Sequence, residues 1–186
     1  MTKIKICGIS RLEDIDMVNA EKPEYVGFVF APSRRQITAS VATELKKRLD
    51  SQIVAVGVFV NAEIDTLTQY DMIDMIQLHG TEDDEYISEL KRLTNKPIIK
   101  CGRSSAADYL LFDNIEAGSG KTFDWSMIGK VDKPFFLAGG LNIDNVDEAI
   151  RTVKPFAVDV SSGVESGGVK DYSKIKEFIR RVRNGQ

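Results

Sequence analysis

Apolar residues recur along this chain in short, almost unbroken runs at residues 4–7, 25–30, 53–60, 75–78, 98–100, 109–112, 135–138 and 157–160. They are rich in Val, Ile and Phe, and most lack a strict apolar–polar alternation. That is the pattern of strands buried on both faces, and hence of a parallel sheet. Between most of them lie amphipathic segments with helical spacing, at 12–20, 39–49, 62–70, 84–93, 146–153 and 172–183. Asn61 stands where it could cap the helix at 62, and Asn142 more loosely the one near 146. Eight strands alternating with helices predict a closed (βα)8 TIM barrel, with an open doubly wound sheet as the alternative.

One connection breaks the rhythm. Only eight residues, 101–108, separate the fifth run from the sixth. A parallel crossover normally takes a dozen or more, so the barrel is expected to lack a regular helix 5. Trimming of this kind fits the chain into 186 residues, where barrels usually take about 250. The exposed outer face is expected to be covered from within the chain, because Gly102-Arg103-Ser104-Ser105 is too polar for a strong docking patch. A monomer is therefore expected, with a dimer as the alternative.

The length suits one domain spanning 1–186. A net charge of −3 gives no support for nucleic-acid or membrane-surface binding. No run is long enough to span a bilayer, and the N-terminus is too short in apolar length for a signal peptide. The two cysteines, Cys7 and Cys101, have neither disulfide-scaffold nor zinc spacing. The expectation is a cytoplasmic protein with reduced thiols and no metal.

In a barrel, residues just past the C-terminal end of each strand face the active site. Two strands here stop at small-residue loops, Gly139-Gly140-Leu141-Asn142 and Ser161-Ser162-Gly163. Backbone N–H groups approach a phosphate closely only where no side chain intervenes, so these loops point to a phosphorylated small molecule. The other strand ends supply Cys7, the pair Arg34 and Arg35, His79 and Asp113, while Asp159 and Ser161 share one face of strand 8.

Each has a plainer reading. A free cysteine is commonly a small buried hydrophobe, a basic pair is commonly a solvated one, and a single histidine is more often structural than catalytic. Asp113 ends an apolar run and Asp159 lies between two valines, so each needs a partner or a use. Asp124 is a rival acid beyond a Gly118–Lys121 segment that reads as a flexible lid. That segment is no nucleotide P-loop, because Ile115 stands where the pattern needs glycine.

The rim motifs resemble phosphoribosylanthranilate isomerase: KICGI at 5–9, VGFVF at 26–30, SRRQI at 33–37, VGVFVN at 56–61 and IQLHG at 76–80. GSGKTFDW at 118–125, AGGLN at 138–142 and DVSSGVE at 159–165 continue the match in order along essentially the whole chain. The resemblance implies a (βα)8 barrel without metal or organic cofactor, catalysing an Amadori rearrangement in tryptophan biosynthesis. It implies Cys7 as general base, Asp113 as general acid and Arg35 as the partner of the anthranilate carboxylate. It further implies Gly139, Gly140 and Ser161 at the phosphate and Asp159 near the ribose hydroxyls; His79, from its place at the end of strand 4, is added as a substrate-binding candidate. The alternatives are another phosphate-sugar barrel, such as a pentose-phosphate epimerase, and a catalytically silent phosphate-ligand binder.

Overall fold

The computed structural model describes residues 1–114 and 125–185. Its eight long strands are β1 (Lys3–Cys7), β2 (Tyr25–Val29), β3 (Val54–Phe59), β4 (Met75–Leu78), β5 (Ile98–Cys101), β6 (Tyr109–Phe112), β7 (Phe135–Leu137) and β8 (Ala157–Val160). They close into a barrel in chain order, every neighbour parallel, with β8 returning to β1. The helices are α1 (Leu12–Glu21), α2 (Ala39–Arg48), α3 (Ile64–Leu67), α4 (Asp84–Leu93), α5 (Val146–Val153) and α6 (Tyr172–Asn184).

The missing alternation in the sequence reflects two cores. Outward-facing strand residues such as Ile4, Ile6, Val26 and Phe28 meet the apolar stripes of the helices, including Ile15 and Val18 of α1 and Phe178 of α6. Inward-facing Tyr25, Val56, Met75, Ile99, Leu111 and Phe136 fill the lumen, where Tyr25 and Phe136 meet edge to face at 5.3 Å. Because side chains on a strand repeat every two residues, the same inward rows continue toward the C-terminal rim. Leu111 is followed by Asp113, Met75 by Gln77 and His79, and Ala157 by Asp159 and Ser161. The apolar plug thus stops one layer short of the rim, and the polar residues stand on it.

No helix joins β5 to β6. The carboxylate of Asp84, in the first turn of α4, accepts from the hydroxyls of Ser104 and Ser105 and from the Ser105 amide. Lys133, just before β7, donates to the carbonyls of Ser105 and Ala107 at 2.5 and 2.6 Å. Ala107 is thereby tucked in, 2 % exposed. The coil itself covers this part of the barrel, pinned from both sides. Beyond the lid segment the chain makes a 3-10 turn, Trp125–Ile128.

Other expectations need correcting. The helix read at 62–70 shrinks to one turn, α3, because Thr68 and Gln69 turn their side chains back to the Asp65 carbonyl and compete with helix continuation. Asn61 caps nothing; it sits in the left-handed region (φ +49°) and its side-chain oxygen accepts from the Thr81 amide at 2.8 Å. Asn142 does not cap α5 with its side chain. Its amide donates to Asn145 Oδ1 at 2.9 Å, and Asn145 Nδ2 donates to the Gly140 carbonyl at 3.0 Å, so the two asparagines brace the glycine loop. A hairpin absent from the sequence reading follows β8: β9 (Glu165–Ser166) pairs antiparallel with β10 (Val169–Lys170) around Gly167-Gly168, both at positive φ. Among the described residues no helix is long and apolar enough to cross a membrane.

Candidate active site

A cavity of about 330 Å³ opens at the C-terminal end of the barrel, bordered by Cys7, Arg35, His79, Asp113, Gly139, Gly140, Asp159 and Ser161, while Arg34, the other half of the basic pair, stays outside it. Cys7 ends the inward row of β1. In the sheet register it lies beside Gly27, where a Cβ would stand 2.7 Å from the thiol sulfur. A side chain there would displace the thiol, which accounts for a glycine in mid-strand. Ser161 Oγ donates to the Cys7 carbonyl at 3.0 Å and ties the end of β1 to β8.

Two residues below Cys7, Lys5 is wholly buried and donates to Asp159 Oδ2 at 2.7 Å. Burial works against the ammonium, but Asp159 and the neighbouring Cys7 outweigh it, so the Lys5 pKa is raised. The other Asp159 oxygen, Oδ1, is buried and makes no hydrogen bond with the described residues. A carboxylate that borders a cavity with one oxygen unmet is suited to accept from a ligand hydroxyl.

Three strands away round the barrel, Asp113 Oδ2 lies 3.4 Å from His79 Nε2, an ion-pair contact longer than a full hydrogen bond. Burial opposes charge on His79, yet Asp113 and then Cys101 outweigh it and raise its pKa to about 10. Its other nitrogen, Nδ1, is 3.0 Å from Gln77 Nε2, while Gln77 Oε1 is buried and has no partner among the described residues. An imidazolium donates from both nitrogens. Turning the Gln77 amide over puts its oxygen on Nδ1–H and reconciles the contact with a charged His79.

The phosphate-type loops lie on a third wall. Gly139 and Gly140 have φ of +85° and +68°, which leaves the backbone unshielded beside Ser161 and Ser162. The wall on the β2 and β3 side is apolar, formed by Val29, Pro32, Val58 and Val60, with Arg35 at its edge. Arg35 is engaged with Glu165 of β9: Nε to Oε1 at 2.7 Å and Nη2 to Oε2 at 3.0 Å. Arg34 and Lys170 reach the same carboxylate, at 2.7 and 2.9 Å. Burial would raise the Glu165 pKa, but Arg35 and Lys170 hold it below its ordinary value.

The sequence reading missed Lys5, Gly27, Gln77, Cys101, Glu165 and Lys170. A mid-strand glycine and a lysine two residues before the rim thiol were signals for two of them. The lid segment and the rival acid Asp124 lie outside the described residues. Among the described residues, no group of three or more His, Cys, Asp or Glu side chains could hold a metal ion.

A closed parallel barrel with its polar residues gathered on the C-terminal rim is the architecture of a (βα)8-barrel enzyme. The family model for N-(5'-phosphoribosyl)anthranilate (PRA) isomerase matches residues 4–181. The N-(5'-phosphoribosyl)anthranilate isomerase of Endomicrobium trichonymphae is 46% identical over 99% of this chain and 100% of its own length. The phosphoribosyl anthranilate isomerase of Thermus thermophilus superimposes over 100% of both chains with a TM-score of 0.89 at 30% identity. Another such enzyme was solved in complex with reduced 1-(o-carboxyphenylamino)-1-deoxyribulose 5-phosphate. It matches with a TM-score of 0.85 at 37% identity, over 99% of this chain and 100% of its own. The chain belongs to the phosphoribosylanthranilate isomerase family and is an isomerase.

Proposed function

We propose that this protein converts N-(5′-phosphoribosyl)anthranilate to 1-(2-carboxyphenylamino)-1-deoxyribulose 5-phosphate in tryptophan biosynthesis, with Cys7 as general base and Asp113 as general acid. The observation that carries this reading is one cavity with four different walls: a thiol, a His–Asp pair, a glycine-rich loop pair, and an apolar face edged by Arg35. Each suits one part of that substrate. Phosphate goes to the Gly139-Gly140 and Ser161 loops, the aromatic ring to Val29, Pro32, Val58 and Val60, and its carboxylate to Arg35. The open oxygen of Asp159 takes a ribose hydroxyl.

The reaction moves one proton on and one off. Asp113 gives a proton to the furanose ring oxygen as the C1′–O bond breaks, and the anthranilate nitrogen supplies the electron pair that forms the Schiff base. Cys7 as thiolate then takes the C2′ proton, leaving an enolamine that tautomerises to the ketone. A free thiol, with a pKa near ~8.5, is a weak reservoir of thiolate at neutral pH. Lys5 and Lys170 both lie close enough to Cys7 for a negative charge there to favour their ammonium forms. On the acid side His79 keeps a proton within reach of Asp113, to hand over as the ring oxygen develops charge. Atoms balance with acid–base steps alone, so the reading needs no cofactor. Coverage of the β5–β6 face from within the chain supports a single-domain monomer, and we infer that it works in the cytoplasm.

The test is purified protein with freshly made phosphoribosylanthranilate, followed by loss of anthranilate-type fluorescence and identification of the ketose product. Turnover of the substrate to that product is expected. No turnover would favour a silent ligand binder, and turnover of ribulose 5-phosphate instead would favour an epimerase.

A further inference from the structure

The hairpin that follows β8 reaches across the rim to the β2 loop, and Glu165 is what it delivers. Its side chain is 5 % exposed and is met by Arg34, Arg35 and Lys170. Three cations around one carboxylate leave a surplus of two positive charges beside the cavity. As a fastening such a cluster is a poor choice, because desolvation largely cancels the attraction in buried ion pairs. Its geometry does something more specific. A guanidinium has two edges that can each grip a carboxylate. Glu165 takes the Nε/Nη2 edge of Arg35 side-on, while the Arg35 shaft lies over Gly8 at the end of β1. Among the described residues no group hydrogen-bonds Nη1, and Arg35 borders the cavity.

We propose that Glu165 is a positioning residue: it holds Arg35 by one edge so that the other faces the apolar wall and receives the substrate's carboxylate. The hairpin, through Glu165, then sets the enzyme's preference for a carboxylated aromatic ring. This rests on the reading above that Arg35 meets that carboxylate. Arg34 and Lys170 neutralise the second carboxylate as it arrives, so two negative groups can share one guanidinium. Glutamine cannot replace Glu165 in this role. Its NH2 would face an arginine N–H, donor against donor, and Arg35 would lose its fixed direction.

The probes are a matched pair of reduced product analogues, one with the ring carboxyl and one lacking it. Their ratio of dissociation constants reports carboxylate recognition and little else. Glu165→Gln is expected to shrink that ratio about tenfold, the scale of one lost charge-assisted contact. KM should rise by a similar factor, with kcat nearly unchanged. Glu165→Asp keeps the charge, protects against misfolding and draws the fork back; it should shrink the ratio by a smaller factor. In the Arg35→Met background Glu165→Gln should have no further effect on the ratio. An unchanged ratio in Glu165→Gln or Glu165→Asp, with the preference lost in Arg35→Met, overturns the positioning role and leaves the Arg35 assignment standing. An Arg35→Met variant that keeps the wild-type preference for the carboxylated analogue overturns that assignment and the inference together.

Discussion

The two sides of the cavity hold their charges differently. On the β8–β1–β2 side the buried charges are closely paired: Lys5 with Asp159, Arg35 with Glu165 and Lys170 with Glu165, at 2.7 to 2.9 Å and with little exposure. On the β4–β6 side there is one looser pair, His79 with Asp113 at 3.4 Å, set between an amide with an unmet oxygen and the thiol of Cys101. Outside, α6 packs against β1 on the first side, while on the second α4 is followed by the helix-free coil between β5 and β6. The difference matches the two halves of the proposed reaction. Orientation of substrate needs groups that stay put, and closely paired, buried charges do that. Proton delivery needs a group whose charge changes, and a tight buried pair would resist the change.

The sharpest way to break the comparison is to remove one catalytic group from each side. Cys7→Ala and Asp113→Asn are each expected to lower kcat by about 10²–10⁴-fold, the usual contribution of a general acid or base. Affinity for a simple ribose phosphate should barely change. Near-normal turnover in either variant, with chemistry rate-limiting, would remove that residue from the mechanism. The paired side gives the next largest effect. Arg35→Met should weaken a carboxylate-bearing analogue by about 1.5–3 kcal/mol relative to its carboxyl-free counterpart, read by calorimetry on both ligands.

His79 tests the looser side directly, because it is the only histidine in the chain. Its pKa in the folded protein is raised to about 10, against burial, by Asp113 and Cys101. A raised value means that the stabilisation from the charged form is complete below the ordinary pKa of ~6.5. It is lost as pH climbs toward 10. The imidazole NMR signals should therefore stay at their protonated positions from pH 6 to pH 8. In Asp113→Asn burial loses its main opponent, and the titration should move down to or below its ordinary range. A wild-type midpoint near 6.5 would dissolve the pair as a proton store.

The division also explains what could be read from the sequence. Strand runs, the skipped helix and the rim residues were legible because they follow local periodicity: an apolar plug and polar ends on one two-residue repeat. Glu165 and Lys170 carry no such signal. Their role arises from a hairpin folding back onto a loop about 130 residues earlier in the chain, and only Gly167-Gly168 hinted at the turn. Lys5 was visible in KIKIC but reads as a surface lysine until the register sets it beside Asp159. Asn61 and Asn142 looked like caps because cap chemistry is local, whereas their actual partners, Thr81 and Asn145, are chosen by how neighbouring loops pack.

The smallest expected effect concerns the coil behind the looser side. Lys133 donates to two carbonyls of the β5–β6 connection, Ser105 and Ala107, and so stands in for part of the covering a helix would give. The Ser105 contact is exposed and the Ala107 one half-buried, so water can replace the ammonium in part. Lys133→Met should then cost about 1 kcal/mol, the net worth of a hydrogen-bonded contact of this kind. In a chain of this size that lowers Tm by about 2–4 °C. The active-site residues of β4 and β6 point into the lumen, away from Lys133, so kcat and KM should hold. If kcat fell while Tm stayed put, the coil would be acting on the His79–Asp113 pair and not merely covering the barrel. The looseness of that side would then be a feature of its outer wall as well as of its chemistry.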